Sequence, residues 1–543
     1  MAVRTLVRAT ALLAACLLPP RAMAQSTTSL LPDANVLPSR AFRFRVLTSF
    51  TRYDELLGAG ISRPRNIGAT LATDSLGVQQ VPALGPIEEA IRATAGLPGF
   101  RLTAGNVVAA ANSRVATAPI VVEYGLTSRI TLGVVVPLVE TRTTVYSQLN
   151  PALGAANVGP NPALLDGSAA LANNAAFVQS VRSAASTLQD RLTTCQATPS
   201  ATGCPELLAQ QGAAQTLMQA SATLAGLLEN LYGTDRDAHP GMAFVPLDSS
   251  VAQAAVRAQI QSIAAQYRTL LGADAVTGKI AGAAGPGGRQ DFQSLLMAAA
   301  GLDSLRSTDH SSIGDISFGA SLQLLNTFGD TTPAAAGRPR IRLTANGTFR
   351  LGTGQPGNRN RLFDLSTGYG QNGVEGGLAA DLRVGTRLSA SAVGSYTAQL
   401  GTVDVARVPG ASNAIYPLGV GIPGTYSAGN VVQVSVVPRI RLAGLLAATG
   451  HYSLIHDAGD QYTLGAAPSA DAVAPTAPYG MPAWTAHQIG LGFVYSTIVG
   501  TDRGPGRIPF EFSFDHVETI SGSGGPFNKT FRDQIELRVY WLH

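Results

Sequence analysis

The sequence predicts an all-β fold: an antiparallel transmembrane β-barrel of about 12 strands, with a long α-helical insertion on its extracellular side. Three observations predict it. Many segments alternate apolar and polar residues with period two, as a strand with two unlike faces does. The links between these segments sort into short and long. Charged residues are only 13% of the 543, and Gly is abundant at 59 residues. Ordinary soluble domains carry roughly 25% charge, so this mixture suits a barrel that hides its polar side chains inside.

The strands can be taken in order. In residues 40–53 (RAFRFRVLTSFTRY), Phe42, Phe44, Val46 and Phe50 share one face, and Arg43, Arg45 and Ser49 the other. Residues 115–124 and 129–140 flank the short turn GLTS, and in the second of them Ile130, Leu132, Val134, Val136 and Leu138 share a parity. Residues 312–325 alternate Ile316, Phe318, Ala320, Leu322 and Leu324 with polar or small residues. RPRIRLTANGTFRLG (338–352) sets Arg340, Arg342, Thr344 and Arg350 against Ile341, Leu343 and Phe349. Residues 373–384 and 387–400 flank a GT turn, and 430–442 and 445–456 flank an AG turn. Segments 484–497, 507–517 and 529–543 complete the set. Each is long enough to cross a bilayer at a tilt.

The links decide which face meets lipid. After alternate strands the turns are short or modest. The others span approximately 54–113, 145–311, 353–372, 401–429, 457–483 and 518–528. Short periplasmic turns and long extracellular loops are the asymmetry of outer-membrane barrels. A soluble secreted β-protein has no reason to sort its loops this way. The alternating Ile535, Leu537, Val539 and Trp541 resemble the C-terminal strand signal read by the outer-membrane assembly machinery, although the chain ends Trp541-Leu542-His543.

The N-terminus reads as a signal peptide over residues 1–24: a basic MAVRTLVR, a short apolar core, and Ala22-Met23-Ala24 as cleavage site. Leu13-Ala14-Ala15-Cys16 also fits a lipobox, with Cys16 lipidated as the competing outcome. Residues 25–39 are expected as a periplasmic N-terminal segment. No later stretch is long and apolar enough for a transmembrane helix. The expected location is the bacterial outer membrane, with outer-membrane lipid as a partner. Net charge of +4 and the lack of a Lys/Arg run argue against nucleic acid. Cys195 and Cys204 are expected to form a disulfide in an oxidising compartment.

Residues 145–311 form the Ala-rich insertion, between barrel strands in 40–144 and in 312–543. A helix is predicted over Pro205–Tyr232, stopped by Gly233, with Leu217, Leu224, Leu228 and Leu231 on one face. Ser249 or Ser250 could cap a second, reaching Leu271, with Ile260, Ile263, Tyr267 and Leu270 aligned. Phe292–Leu305 offers a further short helix.

If lipid takes the apolar parity, the other parity lines a lumen. An arginine facing mid-bilayer lipid would cost roughly 2–4 kcal/mol. The inward basic set is Arg43, Arg45, Arg129, Arg340, Arg342, Arg383, Arg387, Arg439, Arg441 and Arg538, all near the periplasmic end. The inward acids are Glu123, Glu375, Asp381, Glu511, Asp515 and Glu536. One reading is a basic constriction favouring anionic solutes. The other is that arginines and acids pair off and fill a narrow barrel. Phe42, Tyr124, Phe318, Phe349, Tyr452, Tyr495, Phe531 and Trp541 fit interfacial girdles. His487 and His516 could approach each other on the outer face, but no serine of that parity lies near them. No GxSxG, HExxH, Walker A or calcium loop occurs, so no catalytic residue, metal or cofactor is expected.

The hairpins VVEYGLTSRITLGVVVPLV and SIGDISFGASLQLL resemble those of the outer-membrane barrels of phenol-degradation meta-pathways, and more loosely of the FadL-like transporters. That resemblance implies uptake of small, apolar compounds. The Asn-Pro-Ala of a FadL-type hatch occurs here at Asn150 and Asn161, inside the insertion rather than near the mature N-terminus. The function expected is passage or uptake of an unidentified small molecule, hydrophobic or anionic, by a protein that is not an enzyme. The alternative is a surface structural or adhesive protein whose plugged barrel displays the insertion.

Overall fold

The computed structural model describes residues 33–541, apart from 59–60, 82–83, 151–154, 166, 292, 295–305, 329–337, 359–360, 362, 408–420, 465–481 and 499–507. The expected leader and Cys16 therefore lie outside the described residues. These residues form two compact units. One takes the described residues of 1–70, 109–146 and 300–543, the other those of 71–108 and 147–299.

The first unit is a closed antiparallel barrel of 12 strands. They are β1 (Phe42–Gly58), β2 (Val107–Gly125), β3 (Ile130–Leu149), β4 in two halves (Thr308–Ile313 and Ser317–Asn326), β5 (Arg340–Arg350) and β6 (Gly373–Val384). Then follow β7 (Leu388–Gln399), β8 (Val431–Ala443), β9 (Leu446–Asp457), β10 (Trp484–Ser496), β11 (Phe510–Gly524) and β12 (Phe527–Trp541). Each pairs with the next, and β12 pairs back onto β1 from Phe42↔Trp541 to Leu57↔Phe527. Every strand read from alternation is present.

The apolar parity faces outward: Phe44, Val46 and Phe50 of β1 are about half exposed, whereas Arg43 and Arg45 between them are 2% exposed. On β1 the outward run of nine residues from Phe42 to Phe50 is apolar except at Thr48. That is roughly 20–25 Å of height at the usual strand rise and tilt, the thickness of a barrel's lipid band. The barrel is a transmembrane one.

The strands run further than alternation indicated at the end away from the termini. β2 begins at Val107 rather than residue 115, and β3 continues to Leu149 rather than residue 140. Residues 518–528, expected as a link, are strand except for Gly525-Pro526. Above the lipid band both faces carry polar residues, so the pattern vanishes while the ladder continues. The two halves of β4 are separated at Gly314-Asp315-Ile316. Asp315 is fully buried there and accepts from the amides of Gly354 (2.8 Å) and Tyr369 (2.7 Å). A Cβ on Gly368 would come within 2.7 Å of that carboxylate, so only glycine lets the loop close around it.

The second unit is helical: α1 (Gly85–Ala95), α2 (Ala170–Ala197), α3 (Cys204–Ala209), α4 (Gln211–Tyr232) and α5 (Val251–Leu271). The helix expected over Pro205–Tyr232 is broken at Gln210, which accepts no helical φ/ψ at its cap position. The expected face holds: Leu217, Leu224, Leu228 and Leu231 are all buried. Ser250 caps α5, its hydroxyl accepting from the Gln253 amide. Of the aligned α5 side chains only Tyr267 is fully buried, packing with Leu188, Leu192 and Leu217. The helix suggested at Phe292–Leu305 falls largely outside the described residues. The longest helix, α2 at 28 residues, was not anticipated. Cys195 and Cys204 are disulfide-bonded, Cα atoms 5.1 Å apart, joining the end of α2 to the start of α3. A ring this small contributes about 3 kcal/mol by loop-closure entropy.

Tyr232 closes α4 fully buried, its hydroxyl donating to Gln253 Oε1. Burial pushes its phenol well above the ordinary value. The folded chain thus holds the phenolic proton more tightly than the unfolded chain. The stabilisation is intact below about pH 10 and is lost as pH rises beyond it. Thermal melting of the helical signal should fall as pH is raised past about 10, and Tyr232→Phe should flatten that slope while costing about 1 kcal/mol at neutral pH. Equal pH slopes in the two proteins would refute the assignment.

Candidate functional site

The lumen near the termini has two unlike sides. On β1, β2, β11 and β12 the arginines are paired. Arg43 donates to Glu123 through Nε (2.6 Å) and Nη2 (2.7 Å), with both side chains buried. Arg45 donates to Glu536 at 2.7 Å, and Arg538 to the other oxygen of Glu536 at 2.9 Å. Glu511 lies 3.6 Å from Arg538 and accepts from the Tyr540 hydroxyl at 3.0 Å. The Tyr540 ring lies under the Arg43 guanidinium. Charge-assisted hydrogen bonds join Arg43 to Glu123 and bridge Arg45 and Arg538 through Glu536, and Tyr540 lies between the two groups, its ring under Arg43 and its hydroxyl on Glu511. This is the filled arrangement that parity allowed.

Across the lumen the charges are not balanced. Arg340 and Arg383 are cross-strand partners on β5 and β6, and Arg439 faces Ser389 between β8 and β7. Arg340, Arg383, Arg439 and Arg441 have no carboxylate at ion-pair distance among the described residues. Instead the β4–β5 turn supplies Phe328. Its ring lies 4.4 Å from the Arg342 guanidinium and 5.1 Å from that of Arg383. Its carbonyl accepts from Arg340 at 3.1 Å. Arg342 reaches Asp381 only at 3.8 Å.

Two of the expected lumen arginines are elsewhere. Arg129 sits in the β2–β3 turn and Arg387 in the β6–β7 turn, both exposed. Parity placed them inward, but the strands begin one residue later, at Ile130 and Leu388. Three of the acids bind hydroxyls: Asp381 accepts from Ser391 (2.8 Å), Glu375 from Thr397 (3.2 Å) and Asp515 from Thr449 (3.1 Å). Sequence reading missed the inward Arg350 and Arg532, which share the parity of the residues that it chose. Arg350 binds Gln399 and lies 4.0 Å from the Tyr369 ring centre.

The largest departure concerns the N-terminal segment. Residues 25–39 are expected in the periplasm; the described part, from residue 33, runs inside the barrel. Asp33 accepts from Arg538 of β12 at 2.7 Å. The next residue, Ala34, offers its carbonyl to Thr344 of β5 (2.6 Å) and Gln323 of β4 (3.3 Å). Asn35 Oδ1 accepts from Arg342 at 2.7 Å, and the Leu37 amide donates to Thr131 of β3 at 2.8 Å. Consecutive residues thus touch opposite walls, and the segment crosses the lumen at the level of the arginines.

Beyond that crossing the inward face changes character to hydroxyls and amides. Ser49, Thr117, Ser113 and Thr143 line one side, Ser453, Gln488 and Thr519 another. Thr348 Oγ1, Arg439 Nε, His451 Nε2 and Arg532 Nε are buried without a hydrogen-bond partner among the described residues. On the outer face His487 bonds the Tyr452 hydroxyl (2.9 Å) and His516 bonds Asp533 (2.7 Å), so the two histidines do not meet. Ser521 is the cross-strand partner of His487, a neighbour hidden from parity by the bulge next to His487.

A closed barrel with an apolar exterior and an ionised, hydroxyl-rich interior defines the class: an outer-membrane-type β-barrel. No family model matches the chain, and no curated protein matches it. Solved structures do. An outer-membrane channel from Pseudomonas putida F1 aligns over 94% of this chain and 98% of its own, at 10% identity and a TM-score of 0.38. A Pseudomonas aeruginosa FadL homologue aligns over 96% and 97%, at 10% identity and 0.25. The translocator domain of the autotransporter NalP from Neisseria meningitidis aligns over 94% and 91%, at 7% identity and 0.27. Likenesses this distant carry no argument; the fold rests on the strand pairing itself.

Glu123→Leu would leave Arg43 buried and unpaired, and should lower the unfolding free energy by about 3–5 kcal/mol. Arg43→Met combined with Glu123→Leu should cost far less, because no orphan charge remains. Urea unfolding in lipid vesicles, followed by tryptophan fluorescence, compares the two. Equal costs would contradict the pairing argument.

Proposed function

We propose that the chain is an outer-membrane channel for small molecules, that its lumen favours anionic solutes, and that the N-terminal segment controls passage. The observation that carries this reading is the two-sided lumen. One wall is neutralised by its own carboxylates, while Arg340, Arg383, Arg439 and Arg441 opposite it have no carboxylate partner among the described residues. Unbalanced cations in a low-dielectric passage draw anions and repel cations. The hydroxyl- and amide-rich level beyond suits a hydrated or polar solute. Residues 33–38 cross the lumen beside these arginines, so passage needs their displacement.

The same crossing favours a second reading, a barrel kept closed that displays its helical insertion. Single-channel conductance in a planar bilayer separates the two. The refolded chain starting at residue 25 should conduct little, and removal of residues 25–38 should open a steady, anion-preferring conductance. Replacing Arg383, Arg439 and Arg441 with Gln in that truncated form should lower the anion-to-cation permeability ratio. A truncated form that folds and does not conduct would overturn the channel and leave the closed barrel.

A further inference from the structure

We propose that Arg52, Arg114 and Arg142 form a row on the outer wall of the barrel that binds the phosphate groups of an outer-leaflet lipid headgroup. The proposal rests on the outer-membrane reading above, which places a phosphorylated glycolipid around this end of the barrel.

The row follows from register. Arg52 of β1 is the cross-strand partner of Arg114 of β2. The Ser113 and Thr143 hydroxyls meet at 3.0 Å between β2 and β3, and the turn below closes with Leu126 N donating to the Ile130 carbonyl at 2.9 Å. That register puts Arg114 opposite Arg142. All three arginines have outward parity and are exposed. Neighbouring strands lie about 4.8 Å apart, so three guanidinium groups stand side by side. Like charges directly opposite one another on a sheet destabilise it, and an anion shared between them removes that cost.

Their surroundings leave the charges available. Arg52 lies 5.7 Å from the centre of the Phe531 ring. Arg114 and Arg142 make no hydrogen bond or ion pair with the described residues. The nearby acids are Asp309, the cross-strand partner of Arg142, Glu140 two residues before it, and Asp54 and Glu55 just past Arg52. Of these, Glu55 is already held by Lys529 at 3.4 Å.

Height is the second observation. Phe50, Ala116 and Leu138 end the outward apolar stretches that begin at the termini end of the three strands; polar residues and the arginines follow, and the outward Val108 and Tyr146 lie several residues beyond. The arginines therefore stand at the top of the lipid band, on the side away from the chain termini, where headgroup phosphates lie. On the outer face of β9, β10 and β11 stand His456, His487 and His516, each bonded to a side chain: Thr485, Tyr452 and Asp533. Unpaired positive charge is thus concentrated on one sector. The planar guanidinium fork matches phosphate oxygens, and several such forks give a multiply charged headgroup several contacts at once.

The test is native mass spectrometry of the full-length, detergent-refolded barrel titrated with bisphosphorylated lipid A and with its dephosphorylated analogue. The wild type should retain the phosphorylated lipid and release the analogue. The triple variant R52Q/R114Q/R142Q should bind it on the order of tenfold to a hundredfold more weakly. Lys529→Gln, on the same outer face but already paired, should bind as the wild type does. A heat-dependent electrophoretic shift confirms that each variant is folded. Equal retention by a folded triple variant would overturn the proposal. Displacement by millimolar inorganic phosphate would overturn the lipid as the ligand and leave a general anion site. Fractionation of cells reports separately on the outer-membrane reading: a protein found elsewhere that still binds lipid A through the three arginines would sink the location and not the site.

Discussion

Everything in the barrel depends on the hydrogen-bonded seam between its first and last strands. In hydrocarbon an unpaired backbone amide or carbonyl finds no water, so a sheet that crosses a membrane must close on itself. Here closure is made by residues from the two ends of the chain, Phe42 against Trp541 and Arg45 against Arg538. Once that ladder exists, the pleat fixes what each side chain meets. Phe44 and Val46 must face lipid, and Arg43 and Arg45 must face one another's partners inside. The ion pairs around Glu536 therefore follow from the seam and also fasten it, since Arg45 on β1 and Arg538 on β12 grip the same carboxylate.

Burying so much charge is tolerable because it is distributed unequally. Where strands from the two chain ends meet, Arg43, Arg45 and Arg538 each have a carboxylate and that level of the wall is neutralised. On β5 and β6, Arg342 and Arg383 instead share the Phe328 ring, and Arg340, Arg383, Arg439 and Arg441 have no carboxylate at ion-pair distance among the described residues. A neutral core alone would satisfy stability. An uncompensated cluster costs folding free energy, and the field it makes is the one on which the proposed anion preference rests.

The barrel was legible in the sequence because lipid imposes a strict rule. Within the lipid band every outward position must be apolar, and the inward ones are free to be polar. Twelve segments such as Ile130–Leu138 obeyed that rule, and side chains of the other parity, such as Arg43 and Arg45, are buried or half-buried. Legibility failed where the rule stops applying. Above the band Arg52 and Arg114 face water or headgroups, so β1 and β2 continue unseen. Arg129 and Arg387 kept the inward parity but lie just outside the strands, where parity no longer fixes direction. The 28-residue α2 was missed because alanine, serine and threonine give it almost no contrast between faces. Its burial comes from tertiary packing on α4, which no local pattern records. The lumen-crossing segment has neither periodicity nor length; only its hydrogen bonds to distant strands reveal where it goes.

The segment at 33–41 runs without a break into β1, and its first described residue is held by β12. Topologically it is a thread inside a ring whose two ends meet at the thread's own root. A finished ring would have to be threaded from outside. A ring that closes last, by zipping β12 onto β1, can instead be drawn shut around a segment already laid against β3, β4 and β5. Contacts between residues hundreds of positions apart form late in folding. The seam that closes the barrel thus also anchors what lies inside it, because Asp33 is held by the very strand that β1 pairs with.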